Sequence, residues 1–303
     1  GEAVVWRAVT GASTAEVVRL LGATPVVVGV EPDTCQISLT SLAGRLTAVR
    51  KAGELEPRAL IGVDLFGQPA PWDELKIFAA QEGLTLIADC AQSFGASYHG
   101  RRLGHEARAT TLSFFPSKPL GGYGDGGAIL TDDEDLATLY RSLRTHGEGK
   151  TRYEVERIGI NGRLDTIQAA VLLAKLDAFE DELTKREAIA CAYDRAMPQG
   201  IQQPVRVPDS ESAWAIYSVL LPDAAKRDSL QAHLKAAGVP TAVYYPKPLH
   251  HQPAYSEHHD GAALFVSEDL GTRILALPIQ PELTSEEVDR ITEALKSWAG
   301  DTL

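Results

Sequence analysis

Short apolar runs alternate with helical segments through the first half of the chain, and this alternation most constrains the fold. TPVVVGV (24–30) is a continuous, β-branched run, which is typical of a strand buried on both faces. RALIGVDLFG (58–67) and GLTLIADCAQSFGA (83–96) are also predicted to contain strands, and helical segments separate these runs. Strands that alternate with helices in this way predict a mostly parallel sheet covered by helices, an α/β fold.

Capping signals set the expected ends of several helices. Ser13 and Glu16 have the spacing of a capping box at the start of the first helix, and Thr284 and Glu287 have it before the last. Pro71 is predicted to open a helix in between.

The second half of the chain follows a different pattern. Residues 164–197 are predicted to be almost entirely helical, with a break near Asp181, and TAVYYP (241–246) is one of several short strands that follow. We therefore predict a large domain over residues 1–185 and a smaller α+β domain over residues 186–303.

Composition argues against several classes of function. The formal net charge of −12 disfavours a nucleic-acid-binding protein, which normally presents a basic face. Cys35, Cys90 and Cys191 show no CxxC spacing, which fits reduced thiols and indicates no metal site. No run of about 18 apolar residues predicts a membrane span, and no basic-then-apolar leader is visible. Together these features predict a cytoplasmic protein.

One lysine stands out in TTLSFFPSKPLGGYGDGGAIL (110–130). Lys118 follows a predicted strand (110–115), and a glycine-rich turn and a second strand (127–130) come after it. An ammonium group held there is costly to desolvate, and that cost lowers its pKa toward the range of a nucleophile. Our hypothesis is that Lys118 forms a Schiff base with a carbonyl, most plausibly that of pyridoxal phosphate.

Polar residues at strand ends are candidate partners of Lys118. Asp89 ends a buried strand, where α/β proteins place groups that contact ligands. Its carboxylate could pair with a pyridinium nitrogen, or it could simply cap the following loop. Gln92 could reach the same ligand from that loop, and the hydroxyl of Ser113 could bind a phosphate.

The glycines of GGYGDGG (121–127) invite comparison with dinucleotide-binding proteins. That fingerprint requires a helix directly after the glycines, whereas the following AILTDD is predicted to be a strand. The glycines are therefore expected to allow a tight turn near a ligand.

ADCAQSFGA, LSFFPSKPLGGYGDGGAILTDD and RIGINGRLDTIQAAVLLAKL together resemble the sugar aminotransferases of the DegT family. The resemblance continues through VYYPKPLHHQPAY and LALPIQPELTSEEV, so it covers nearly the whole chain in order. It implies a fold-type I pyridoxal-phosphate enzyme that acts on nucleotide-linked keto-sugars. The implied architecture is a mostly parallel, seven-stranded-type sheet sandwiched by helices, with a smaller C-terminal domain.

The resemblance also implies roles for individual residues. Lys118 would be the Schiff-base lysine and would move the proton between two carbons. Asp89 would pair with the pyridine nitrogen, and Gln92 would lie near the phenolic oxygen of the ring. Ser113 would bind the cofactor phosphate. His250 resembles a family histidine near the substrate.

In the family, the loop that matches GINGRLD crosses to the other subunit of a homodimer. The resemblance therefore implies that Asn161 helps to hold the partner's cofactor phosphate and that Arg163 faces the sugar nucleotide. The implied reaction has two halves, in which glutamate loads the cofactor with an amino group and a keto-sugar accepts it. Such a reaction would serve the biosynthesis of a polysaccharide or a glycosylated metabolite.

Departures from the family pattern leave alternatives open. Family members have a segment before the position of Gly1, an aromatic residue that stacks on the cofactor at the position of Gly11, and commonly Asn at Pro119 and His at Asp64. One alternative is a non-catalytic or cofactor-impaired paralogue that binds a sugar nucleotide or partners an active subunit. Another is a pyridoxal-phosphate-dependent sugar dehydratase. Those enzymes carry histidine where this chain has Lys118, which favours transamination.

Overall fold

The computed structural model describes residues 1–151 and 153–302. The strands are β1 (Glu2–Arg7), β2 (Thr24–Val28), β3 (Glu56–Val63), β4 (Thr85–Asp89), β5 (Ser97–Tyr98), β6 (Arg101–Arg102), β7 (Ala109–Ser113), β8 (Gly127–Leu130), β9 (Ser210–Glu211), β10 (Tyr217–Leu220) and β11 (Ile274–Leu277). The helices are α1 (Ser13–Leu20), α2 (Leu39–Ala52), α3 (Trp72–Glu82), α4 (Glu134–Leu143), α5 (Thr166–Leu176), α6 (Phe179–Ala196), α7 (Ala224–Ala236), α8 (Pro253–Ser256), α9 (Phe265–Arg273) and α10 (Ser285–Thr302), with 3-10 turns at Leu65–Gly67 and Leu249–His251.

The central sheet has the strand order β2-β1-β3-β4-β7-β8. All neighbouring strands are parallel except β7 and β8, which pair antiparallel. The predicted mostly parallel α/β sheet is confirmed, and the described residues supply six strands where the resemblance implied a seven-stranded type. Because β1, β3, β4 and β7 are parallel neighbours, their carboxyl ends meet at one edge of the sheet, where α/β proteins place their ligand sites.

Two of the three predicted helix starts are confirmed, and Pro71 is the N-cap residue of α3. At the start of α10, Thr284 N donates to Glu287 Oε2 at 2.8 Å and Glu287 N donates to Thr284 Oγ1 at 3.2 Å, which confirms that capping box. The capping box predicted at Ser13 is wrong. Helix α1 starts at Ser13 itself, and Ala12 occupies the N-cap position with no side-chain cap bond.

The C-terminal part centres on the antiparallel pair β10–β11, against which α6, α7 and α10 pack around a buried aromatic and aliphatic core. The strand predicted for 241–246 is wrong, since only an isolated bridge joins Ala242 to Ala276. Pro240 precedes this segment and Pro246 is its last residue, and neither has an N–H to donate to a ladder. The helical break falls between Leu176 and Phe179, slightly before the predicted position.

A buried cluster joins the two parts of the molecule at the carboxyl edge of the sheet. It combines Val9, Val30 and Phe66 with Leu220 and Ile274. The predicted domain boundary near residue 185 lies within α6, and the division at that point stays a prediction. Within the described residues, no helix has the length and apolar character needed to cross a membrane.

Candidate active site

The turn that carries Lys118 directly follows β7, the strand that ends at Ser113. Lys118 N donates to Phe115 O at 2.8 Å, which closes the turn. The glycine-rich run then folds back against it so closely that a Cβ at Gly121 would lie 2.4 Å from Pro116 O. A side chain cannot be accommodated at that distance, so glycine is required here. This geometry agrees with the tight turn predicted for the glycines, and it fixes Lys118 at the carboxyl edge of the sheet.

Lys118 is half-buried in a cleft between the two parts of the chain. The cleft has a volume of about 590 Å³, and its lining includes Gln92, Arg186, Tyr244 and Tyr245. Burial lowers the pKa of Lys118, in the predicted direction, while the Asp89 carboxylate opposes the shift. The amine is therefore more readily deprotonated than an exposed lysine, and the field of Asp89 reaches it.

Asp89 is held by contacts to both of its carboxylate oxygens. Oδ2 accepts a hydrogen bond from Thr14 Oγ1 at 2.9 Å, and Oδ1 accepts one from Ala91 N at 3.2 Å. Thr14 is buried in the first turn of α1. Since each carboxylate oxygen can accept two hydrogen bonds, Asp89 keeps capacity for a ligand. The bond to Ala91 also fits the loop-capping alternative, and the two uses are compatible.

Gln92 bridges the sheet edge and the C-terminal part. Its Oε1 accepts from Phe66 N at 2.7 Å, and its Nε2 lies 3.4 Å from the hydroxyl of Tyr245. The side chain is buried. Because an amide nitrogen carries two hydrogens, one of them is left to bind a ligand.

Asp64, which follows β3, organises the loop that carries Gln92. It is fully buried, and burial raises its pKa to about 6. Its carboxylate accepts hydrogen bonds from Ala70 N (2.7 Å), Trp72 Nε1 (2.9 Å), Cys90 Sγ (2.9 Å) and Ser93 Oγ (2.7 Å). Two of these donors lie on either side of Gln92 in the chain, so Asp64 fixes the path of its backbone.

Arg7 ends β1 and is fully buried beside this network. Its Nη1 donates to Gln36 Oε1 at 2.9 Å, whereas Nε and Nη2 have no hydrogen-bond partner among the described residues. Burial lowers its pKa to about 10, opposed by the fields of Asp64, Asp89 and other nearby groups. A positive charge thus lies close to both strand-end carboxylates.

Besides Asp89, the predicted site residues Ser113, Asn161 and Arg163 lie outside the lining of this cleft. Ser113 is half-buried at the end of β7, and its Oγ accepts from Phe115 N at 3.3 Å. Asn161 and Arg163 are exposed, and Arg163 Nε donates to Asn161 Oδ1 at 3.2 Å. The cofactor and substrate roles of these residues stay predictions.

His250 is buried outside the cleft lining as well. Its Nε2 lies 3.2 Å from Glu268 Oε1, and burial lowers its pKa. His250, His251 and Glu268 are close enough to hold a metal ion. However, a metal-bound histidine normally donates its second ring N–H, and the buried Nδ1 of His250 has no partner among the described residues. The geometry therefore favours a hydrogen bond between the buried His250 and the partly exposed Glu268, and the substrate role of His250 stays a prediction.

Sequence reasoning gave no role to Thr14, Arg7 or Tyr245, and it noted Asp64 only as a departure from the family. One signal could have found Asp64. Asp64 directly follows the apolar strand β3, and Asp89 ends the next strand, β4. Residues at the carboxyl ends of neighbouring parallel strands lie at the same ligand-binding edge of the sheet.

The polar groups gathered here fit pyridoxal phosphate. An amine of lowered pKa (Lys118), a carboxylate with free lone pairs (Asp89) and an amide with a free N–H (Gln92) match the groups that this cofactor needs around its ring. The space beside Gly11 is open as well, since a Cβ there would first meet Tyr245 Oη at 3.7 Å. Gly11 itself offers no stacking face.

Comparison with known proteins gives concordant findings. Residues 1–296 match the model of the DegT/DnrJ/EryC1/StrS aminotransferase family. Over 296 residues the chain is 43% identical to UDP-2-acetamido-2-deoxy-3-oxo-D-glucuronate aminotransferase of Pseudomonas aeruginosa, covering 97% of this chain and 79% of that protein. It is 38% identical to dTDP-3-amino-3,4,6-trideoxy-alpha-D-glucose transaminase of Streptomyces venezuelae, covering 93% of this chain and 72% of that protein.

A solved structure agrees with the fold. The chain superposes on a DegT DnrJ EryC1 StrS aminotransferase from Brucella abortus with a TM-score of 0.95 and 44% identity. The match covers 99% of this chain and 80% of the other.

Proposed function

This chain belongs to the DegT/DnrJ/EryC1/StrS aminotransferase family, and on that premise we propose that it aminates a nucleotide-linked keto-sugar with glutamate as the amino donor. One observation carries the proposal. Lys118, a half-buried lysine of lowered pKa, opens into a cleft of about 590 Å³ and lies within the field of Asp89. That combination suits an amine that must react with a carbonyl and then handle protons.

The keto group is proposed to be at C-3 of the sugar. The names of the relatives from P. aeruginosa and S. venezuelae both place the keto or amino group at that carbon. The two names differ in the nucleotide and in the sugar, one being a UDP-linked uronate and the other a dTDP-linked deoxysugar. These two substrates are therefore the informative pair to compare.

Lys118, Asp89, Gln92 and Ser113 would hold pyridoxal phosphate. When bound, this cofactor supplies an electron-withdrawing ring that stabilises negative charge at the carbon next to the transferred nitrogen. Asp89 would keep a proton on the ring nitrogen, because an ionised carboxylate favours the protonated partner. Lys118 Nζ would take a proton from the carbon on one side of the transferred nitrogen and return it to the carbon on the other side. Its lowered pKa favours the neutral form of the amine, which accepts a proton.

The active form is proposed to be a homodimer whose subunits share their sites. Apolar side chains are exposed on the segment around Asn161 and on α5, namely Ile158 (94%), Ile160 (68%), Ile167 (72%) and Leu173 (66%). Exposed apolar surface of this extent marks an interaction surface. Asn161 and Arg163 lie within this surface, which supports their reaching the partner's cofactor and substrate.

A cytoplasmic location is proposed from the cysteines. Cys35, Cys90 and Cys191 are all free thiols in the structure, as expected in a reducing compartment.

The proposed activity is tested by incubating the purified protein with pyridoxal phosphate, glutamate and each of the two 3-keto sugar nucleotides. Amination is expected with at least one of them, with 2-oxoglutarate formed in equal amount. A deoxygenated sugar formed without glutamate would instead identify a dehydratase. No turnover of any keto-sugar, with cofactor bound, would support a non-catalytic paralogue.

A further inference from the structure

Tyr245 brings a hydroxyl from the C-terminal part of the chain to the carboxyl edge of the sheet. It lines the same cleft as Lys118. Its Oη is 3.4 Å from Gln92 Nε2, and it would be 3.7 Å from a Cβ at Gly11. The hydroxyl therefore lies between the loop that follows β4 and the segment that leads into α1, beside the proposed cofactor site.

The direction of the Gln92–Tyr245 hydrogen bond can be assigned. Gln92 Oε1 accepts from Phe66 N at 2.7 Å, which orients the amide so that its nitrogen faces Tyr245. An amide nitrogen can only donate, so the oxygen of Tyr245 accepts. The hydroxyl proton remains to be donated, and none of the described residues accepts it.

The charged and titratable groups around Tyr245 favour a neutral hydroxyl. Burial raises its pKa, and Asp89 and Tyr244 act in the same direction, whereas Gln92 and Arg7 oppose the shift. The group therefore keeps its proton at neutral pH and acts as a hydrogen-bond donor within the cleft.

We propose that Tyr245 donates a hydrogen bond to the phenolate oxygen of pyridoxal phosphate, converging with Gln92 on that atom. This inference rests on the proposed function, because the oxygen belongs to the cofactor. A hydrogen-bond donor stabilises the negative charge on the phenolate. That charge is least compensated once the nitrogen that would join Lys118 to the cofactor has lost its proton. Tyr245 would thus lower the pH at which that nitrogen deprotonates.

The test is a pH titration of the visible absorption band of the cofactor-loaded protein. In Tyr245→Phe, the midpoint is expected to rise by about one pH unit, a tenfold change in the dissociation constant, as for loss of one hydrogen bond to a charged group. Tyr244→Phe is the matched control. It removes a hydroxyl from the same cleft without touching Gln92, so its midpoint should equal that of the wild type.

A second variant guards against indirect effects. Gln92→Leu leaves the Tyr245 hydroxyl in place and removes the other donor, so its midpoint should also rise. Thermal unfolding of each variant checks that the fold is kept. A midpoint that rises in Gln92→Leu but not in Tyr245→Phe would overturn the inference and leave the proposed function standing. A wild-type protein without any such band would instead refute the proposed function.

Discussion

The cleft around Lys118 and the segment around Asn161 differ in how many of their side-chain contacts lie within the same chain. Near the cleft, polar groups are hydrogen-bonded to residues of the same chain, as half-buried Asp89 is to Thr14 and buried Gln92 is to Phe66. Around Asn161, polar and apolar side chains alike face outward, with Ile158 94% exposed. The difference suggests that one chain builds the reacting centre alone, whereas the site for the rest of the substrate requires a second copy.

The largest effect is expected on removing the Lys118 amine from the cleft. Lys118→Ala is expected to lower kcat/KM for amino transfer by about 10⁴-fold or more, because no other group could both bond to the cofactor and move the proton. Lys118→Arg is the matched control, since it keeps a charge of similar length but cannot take part in the same bond. Equal loss in both variants supports the assignment, and substantial activity in either contradicts it.

The second prediction addresses the outward-facing segment. Arg163→Ala is expected to lower kcat/KM on the order of 100-fold, about 3 kcal/mol, by leaving an anionic group of the substrate without its cation. Its unfolding free energy should change little, because the side chain is exposed.

Mixing the Lys118→Ala and Arg163→Ala proteins tests in which subunit's site Arg163 acts. If Arg163 acts in the partner's site, subunit exchange between Lys118→Ala and Arg163→Ala dimers forms one hybrid site that carries both wild-type residues. Activity should then reappear on mixing. If activity stays at the level of the separate variants, Arg163 acts within its own chain and the comparison fails.

The third prediction concerns the buried carboxylate beneath the cleft. The pKa of Asp64 is raised from 3.8 to about 6. At pH values between these two, the folded state therefore binds a proton at this carboxylate more tightly than the unfolded state does. Its contribution to stability is full below about pH 4 and is lost as the pH rises through 6. Asp64→Asn removes this titration. The stability of the wild type relative to the variant should therefore fall by about 2 kcal/mol from pH 4.5 to pH 7.0.

Urea unfolding of both proteins at the two pH values measures this difference. The carboxylate of Glu106 lies nearby and contributes to the raised pKa of Asp64, but it is present in both proteins, so its effect on the difference largely cancels. A difference that is independent of pH would show that Asp64 is ionised throughout.

The smallest expected effect is at Gly11. Gly11→Phe adds an aromatic face beside the proposed cofactor site and should tighten pyridoxal-phosphate binding by about 1 kcal/mol, roughly fivefold. Gly11→Ala is the control, because its Cβ has room, with the nearest atom 3.7 Å away, but brings no ring. Weaker binding in the Phe variant alone would mean that Tyr245 already fills that space.

The large features of the fold could be predicted because they are written in local patterns. Alternation of apolar strands with helices predicted the parallel sheet, and the positions of Asp89 and Lys118 after strands placed both at one edge. The errors were also local. Ser13 was taken as a cap although α1 starts there, and residues 241–246 were taken as a strand although they form only an isolated bridge.

Contacts between distant parts of the chain could not be predicted in this way. Thr14 and Asp89 are 75 residues apart, and Gln92 and Tyr245 are 153 residues apart. Periodicity and capping report only on neighbours within a few turns, so neither could indicate these pairs. The buried Arg7, whose Nε and Nη2 have no partner among the described residues, was missed for the same reason, since the charged groups around it come from separate segments of the chain.

The central claim is that Lys118 carries the cofactor. Pyridoxal phosphate should be added to the purified protein, the linkage reduced with borohydride, and the protein digested for mass spectrometry. We expect a pyridoxyl-phosphate adduct on the peptide that contains Lys118, and no adduct at that peptide in Lys118→Arg. An adduct found on other lysines, or equally in both proteins, would contradict it.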